Sequence, residues 1–170
     1  MTAAALVEIP VGVVVERHKA TSPWVEHVWR PAAVLPGIPS ADPWTPLGPL
    51  GDTTAFFAGT ASIAFHRTET ANYIGNLSSG APQLWVVLRP SEGPSPFEVL
   101  AVTADPAEGE AFTEAGNDVV ETVPMPPQIA DALEAFVAEH HVERTFFKRQ
   151  RDSGAEAVPG GGRKRRETGL

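Results

Sequence analysis

Strand follows strand in this sequence, and only three short stretches carry helical spacing. That order constrains the fold more than any other feature. A doubly wound parallel sheet needs a helix between successive strands, whereas antiparallel neighbours can be joined by a turn. The chain is therefore expected to be α+β: an antiparallel β-sheet or small open barrel with about three short helices packed on it.

The strands are read from β-branched runs and alternation. Residues 9–16 form the first, with Val11, Val13 and Val15 on one face and Val14 on the other. Residues 20–23 make a loop. Residues 25–35 form a second strand, broken or bulged at Pro31, which lacks a ladder donor. Residues 36–51 hold Pro36, Pro39, Pro43, Pro46 and Pro49 around Trp44. Proline fixes φ, so this segment is expected to be rigid and irregular. Residues 53–66 read as one long strand or an interrupted hairpin. Phe56 and Ala58 before Gly59, and Ala61, Ile63 and Phe65 after it, differ in parity, and a bulge at Gly59-Thr60 would turn both halves to the core.

Helical spacing over residues 68–77 runs through Tyr73, Ile74 and Leu77. Residues 84–88 are apolar on both faces and predict a central strand, paired as a hairpin with 97–103. Asp105-Pro106-Ala107-Glu108 predicts a helix start with a capping box, closed by Gly116. A strand over 118–123 follows. Pro126-Pro127 then opens a helix that buries Ile129, Leu133, Phe136 and Val137 and ends at His140-His141.

The 170 residues suit one domain, and a hydrophobic fraction of 42% suffices for a core. The absence of cysteine excludes disulfides, thiolate metal sites and a cysteine nucleophile. No apolar run is long enough to span a bilayer, and no export signal opens the chain, so a cytoplasmic protein without a membrane partner is expected. Charge divides the chain. Residues 148–170 hold seven basic and three acidic side chains, net +4, against six and 18 in residues 1–147, net −12. The expected organisation is a single α+β domain over 1–147 and a basic, Gly-rich, disordered tail over 148–170. So acidic a body would repel phosphate backbones, which makes nucleic acid an unlikely partner.

Motifs for catalysis are missing. No serine lies in a nucleophile elbow. His140 and His141 are adjacent on a helix and point about 100° apart, which disfavours a shared metal ion. Neither catalytic nor metal-ligating residues are assigned. Three arginines, Arg30, Arg67 and Arg89, stand out as anion-binding candidates in a body with few cations; the alternative is that each pairs with a nearby carboxylate. Trp24 and Trp44 flank prolines and read equally as a recognition surface or as clasps for their loops. His66, Glu69 and Tyr73 complete the candidate working surface.

Several stretches together resemble a known family. They are Ile9-Pro10-Val11-Gly12-Val13-Val14-Val15-Glu16-Arg17, Pro23-Trp24, His27-Val28-Trp29-Arg30-Pro31 and His66-Arg67-Thr68-Glu69-Thr70-Ala71-Asn72-Tyr73. Leu84-Trp85-Val86-Val87-Leu88-Arg89, Val102-Thr103-Ala104-Asp105-Pro106 and the run from Pro124 to His141 add to them. The chain resembles the proteobacterial domain-of-unknown-function family 3305 over roughly residues 8–151. Its members often lie near genes for formate dehydrogenase and its maturation factors, and some carry a molybdopterin-guanine dinucleotide biosynthesis label. The resemblance implies a noncatalytic cytoplasmic accessory protein for a molybdenum or tungsten formate-dehydrogenase-type enzyme. A dehydrogenase subunit or another maturation factor would be its partner. The alternative is a small enzyme or carrier in cofactor biosynthesis with a molybdopterin nucleotide as ligand. The first strand runs into Arg17-His18-Lys19-Ala20-Thr21 with no glycine-rich phosphate loop, which argues against guanylyl transfer.

Overall fold

The computed structural model describes residues 7–114 and 116–156. Strands β1 (Val7–Lys19), β2 (His27–Leu35), β3 (Thr45–Leu50) and β4 (Thr53–Phe65) come first. A 3-10 turn (Arg67–Glu69) leads into helix α1 (Thr70–Leu77). Strands β5 (Gln83–Pro90) and β6 (Phe97–Thr103), helix α2 (Pro106–Phe112), strand β7 (Val119–Pro124) and helix α3 (Pro127–Glu156) complete the chain. Two antiparallel sheets result, in the orders β2-β1-β4-β3 and β6-β5-β7. This is an α+β domain in which the sheets face each other without closing into a barrel.

The inner faces follow the sequence alternation. Val11, Val13 and Val15 of β1 meet Ile63 and Phe65 of β4 and Leu84, Val86 and Leu88 of β5 in one core, joined by Leu133 and Phe136 of α3. The parity change in β4 is resolved by a bulge, since Val13 pairs with Gly59 while Val14 pairs with Phe57. Ala58 is the extra residue, just before the expected position. Gly59 there has φ +144°, backbone that glycine adopts without Cβ strain. A second bulge sits next to Pro31, where Val14 pairs with Ala33 and Val15 with Pro31. Proline is tolerated because β2 is an edge strand. The strand over 84–88 is central, with β6 and β7 on either side.

Four expectations change. Residues 36–51 are not wholly irregular, because 45–50 form edge strand β3 along β4. An edge strand pairs on one side only, so Pro46 and Pro49 fit where their missing N–H faces outward. Glu108 does not close a capping box. Its Oε1 accepts a 2.6 Å hydrogen bond from the Thr103 hydroxyl, and Asp105 alone caps α2 by accepting from the Ala107 N–H at 2.9 Å. Helix α3 does not stop at His140-His141 but continues to Glu156, with Val137 only half-buried. The boundary expected at 147 falls inside this helix, while residues 157–170 of the expected tail lie outside the described residues.

Gly12 shows how the proline loop is seated. A Cβ at Gly12 would stand 3.0 Å from Phe57 Cε1, 3.1 Å from Pro39 Cδ and 3.3 Å from the Gly37 carbonyl. The loop after β2 therefore lies against the outer face of β1, and Phe57 is buried beneath it.

Candidate functional site

The strands bring two different ends to the domain. At one end β4 finishes, β5 begins and β6 finishes, and the three helices gather there. At the other lie the β1–β2 turn, the start of β4, the end of β5 and the start of β6.

The helix end is held by a polar network. Asn76 of α1, nearly buried, donates to the carbonyls of Gln83 (2.8 Å) and Ala104 (3.0 Å) and accepts from the Gln83 N–H (3.0 Å). Asn72 donates to Asp105 at 2.9 Å and to Glu69 at 3.3 Å. Thr70 and His141 Nδ1 lie 3.0 Å apart, linking α1 to α3. The Tyr73 phenol, 1% exposed, accepts the His66 backbone N–H at 2.9 Å and packs on Phe65 and Phe136. Burial pushes its pKa up to about 12; the His66 N–H acts the other way, and the charges of Asp105, Glu69 and Glu108 add to the rise. These side chains are occupied with joining elements to one another. Among the described residues no group of three or more His, Asp or Glu side chains is placed to hold a metal ion.

The open end is built from rings and a cation. Trp29 of β2 meets Trp44 edge-on, with centroids 5.8 Å apart and planes at 88°. Phe56 and Phe97 lie 5.6 and 6.2 Å from the same indole. The Arg17 guanidinium sits over Trp29 at 5.8 Å and Phe56 at 5.3 Å. Trp44 is held by its backbone N–H, which donates to the Phe57 carbonyl, and by its indole N–H, which donates to the Phe97 carbonyl at 3.0 Å. Its φ of +70° is the only positive value at a non-glycine among the described residues. Such a backbone costs on the order of 1–3 kcal/mol and persists only where the surroundings fix it. All five of these residues are partly exposed. At the tip of the β1–β2 turn, Trp24 is 90% exposed beside Val25 at 50% and Val28 at 45%. A shallow hollow of about 350 Å³ lies between Lys19, Pro23, Trp24 and Glu26.

The candidate residues therefore separate. His66, Glu69 and Tyr73 belong to the helix end, and His66 Nδ1 is buried without a hydrogen-bond partner among the described residues. Trp24 and Trp44, alike in sequence, are unlike in structure: one projects and the other clasps β4 to β6. Arg30 on β2 stands opposite Glu16 of β1, and Arg67 is exposed in the 3-10 turn. Arg89 already grips a carboxylate, donating through Nε and Nη2 to both Asp118 oxygens at 3.0 Å. That fork holds the Asp118 carboxyl below the usual carboxylate range. Sequence reasoning overlooked Arg17. The signal was present: Arg17 continues the Val11, Val13, Val15 stripe at period two, so a cation occupies the core-facing side at the strand's end.

Fold and site together define a two-sheet α+β domain that presents aromatic surface at one end and no assembled catalytic constellation among the described residues. The family model of the protein of unknown function DUF3305 matches residues 10–151, and the chain belongs to that family. No curated protein and no solved structure matches it.

Proposed function

We propose that this protein is a noncatalytic cytoplasmic accessory factor that binds a protein partner during assembly or maturation of a molybdenum or tungsten formate-dehydrogenase-type enzyme. One observation carries the binding role: the exposed apolar tip formed by Trp24, Val25 and Val28. A turn needs no tryptophan to reverse the chain, and an indole in water gains nothing for the fold, whereas aromatic residues anchor interfaces. The client enzyme is proposed on the genomic company that the family resemblance implies. No described helix is long and apolar enough to cross a membrane. The cofactor-carrier reading is less favoured, because a phosphate at Arg89 would have to displace Asp118 from a bidentate fork.

Affinity capture tests the reading. Tagged wild-type protein is expected to retain a formate dehydrogenase subunit or a second maturation factor, and Trp24→Ser to lose it while keeping its melting temperature. Capture of neither by the wild type, or equal capture by Trp24→Ser, would reject the proposed role.

A further inference from the structure

We propose that the open end is also a small-molecule site for a ligand whose anionic group, carboxylate or phosphate, is carried on a planar aromatic ring. Arg17 supplies the first argument. Its guanidinium carbon lies over the rings of Trp29 at 5.8 Å and Phe56 at 5.3 Å, within reach of cation–π attraction. Ring contacts occupy none of the N–H donors of a guanidinium, which lie in one plane and can grip an oxyanion in bidentate fashion. Among the described residues Arg17 forms no ion pair, although acidic side chains outnumber Lys and Arg by 21 to 13. Arg89, in the same acidic body, has its carboxylate. A cation set on apolar rings and left without a counter-charge is suited to an anion from outside.

The rings supply the second argument. Trp29, Trp44, Phe56 and Phe97 all remain partly exposed, so the cluster opens to solvent. Filling the end of a core would not require Trp44 to hold a left-handed backbone. That conformation, with both its N–H groups bonded across β4 and β6, stands the Trp44 indole edge-on to the Trp29 ring. Indole faces accept planar rings by stacking. The ligand therefore combines a flat ring with an adjacent negative charge. This site requires no protein partner and stands apart from the Trp24 tip.

Heteronuclear NMR of the four indole N–H groups provides the test, with phenyl phosphate, benzoate and inorganic phosphate as probes. Phenyl phosphate or benzoate is expected to shift the Trp29 and Trp44 signals saturably at millimolar concentration and to leave Trp24 unmoved. The stronger of the two identifies the anion. Inorganic phosphate, lacking the ring, should bind about tenfold more weakly or worse. Arg17→Leu keeps apolar cover and should weaken binding by about tenfold or more. Arg17→Lys keeps the charge but not the fork, and should fall between the two. An unchanged Trp85 signal certifies each variant as folded; if Arg17→Leu fails that check, Arg17→Lys decides. No response to either aromatic probe, an equal shift at Trp24, or undiminished affinity in the folded Arg17 variant would overturn the site.

Discussion

The helix end and the open end of this domain use polar groups in opposite ways. At the helix end most buried polar groups are matched by another: Asn76 by backbone of β5 and of the loop after β6, Asp105 by Asn72 and the start of α2, Thr103 by Glu108, with His66 Nδ1 the exception among the described residues. A buried polar group is costly unless its partners are all present, so such a network ties elements together and leaves little for a ligand. At the open end Arg17 meets rings rather than carboxylates, Trp44 holds a strained backbone, and Trp24 stands in water. A polar network joins the elements at the helix end, while exposed and partly exposed rings mark the open end, where Arg89 and Asp118 also pair. The lesson is that a polar cluster is not by itself a working site; groups left unsatisfied are more informative than groups brought together.

The contrast can be broken from its strong side first. Asn76→Leu should strand two carbonyls and one N–H in a nearly dry setting. The loss should be about 3 kcal/mol in denaturant unfolding, given roughly 1–3 kcal/mol per buried group left unmatched and partial relief by water. A loss under about 1 kcal/mol would mean that the network is not what holds this end.

Alkaline pH reads the same end through Tyr73, the only tyrosine in the chain, so phenolate absorbance reports it alone. Its folded pKa is raised to about 12 from 10.0. A raised pKa means the folded state keeps the proton after the unfolded chain has released it. Stability from this group is therefore complete below pH 10 and is lost as pH rises toward 12, by roughly 2–3 kcal/mol in all. Spectrophotometric titration should place ionisation near 12 in buffer and near 10 in denaturant. A native midpoint at 10 would show that the ring is not sealed.

Gly109→Ala sharpens the comparison on the outer face of β5. The new Cβ would lie 2.2 Å from Trp85 Cγ, so α2 would have to lift. Alanine gains about 1 kcal/mol of helix propensity, yet overpacking typically costs 1–3 kcal/mol and here meets a ring root that cannot swing away. A net loss of about 2 kcal/mol is expected in thermal unfolding. The smallest effect belongs to the open end: Trp24→Ser should change stability by no more than about 0.5 kcal/mol, as for surface positions free of packing.

Much of this was legible beforehand. The alternation of Val11, Val13 and Val15 and the parity change around Gly59 defined the core faces, because a period of two fixes which side chains share a face. The apolar run of β5 identified the central strand. The strand at 45–50 was hidden by its prolines, whose cost depends on edge position, a property of the assembled sheet. The cap at Asp105 was readable, but the partner of Glu108 was not, since Thr103 competes from outside the helix. Trp24 and Trp44 show the limit most clearly. Both sit beside proline, and only the passage of β6 near the second separates an exposed ring from a clasp. Arg17 could have been found by extending the valine stripe two residues further.

The proposal that the open end is the working surface is tested most directly in cells. A strain deleted for this gene would be complemented with wild-type protein, with Trp24→Ser, and with Asp131→Asn on the exposed surface of α3. Formate dehydrogenase activity and its molybdenum content would be measured in each. The account predicts that the deletion lowers both, that wild type and Asp131→Asn restore them, and that Trp24→Ser does not, although it accumulates as folded protein. Full restoration by Trp24→Ser, or a deletion that leaves both quantities unchanged, would contradict it.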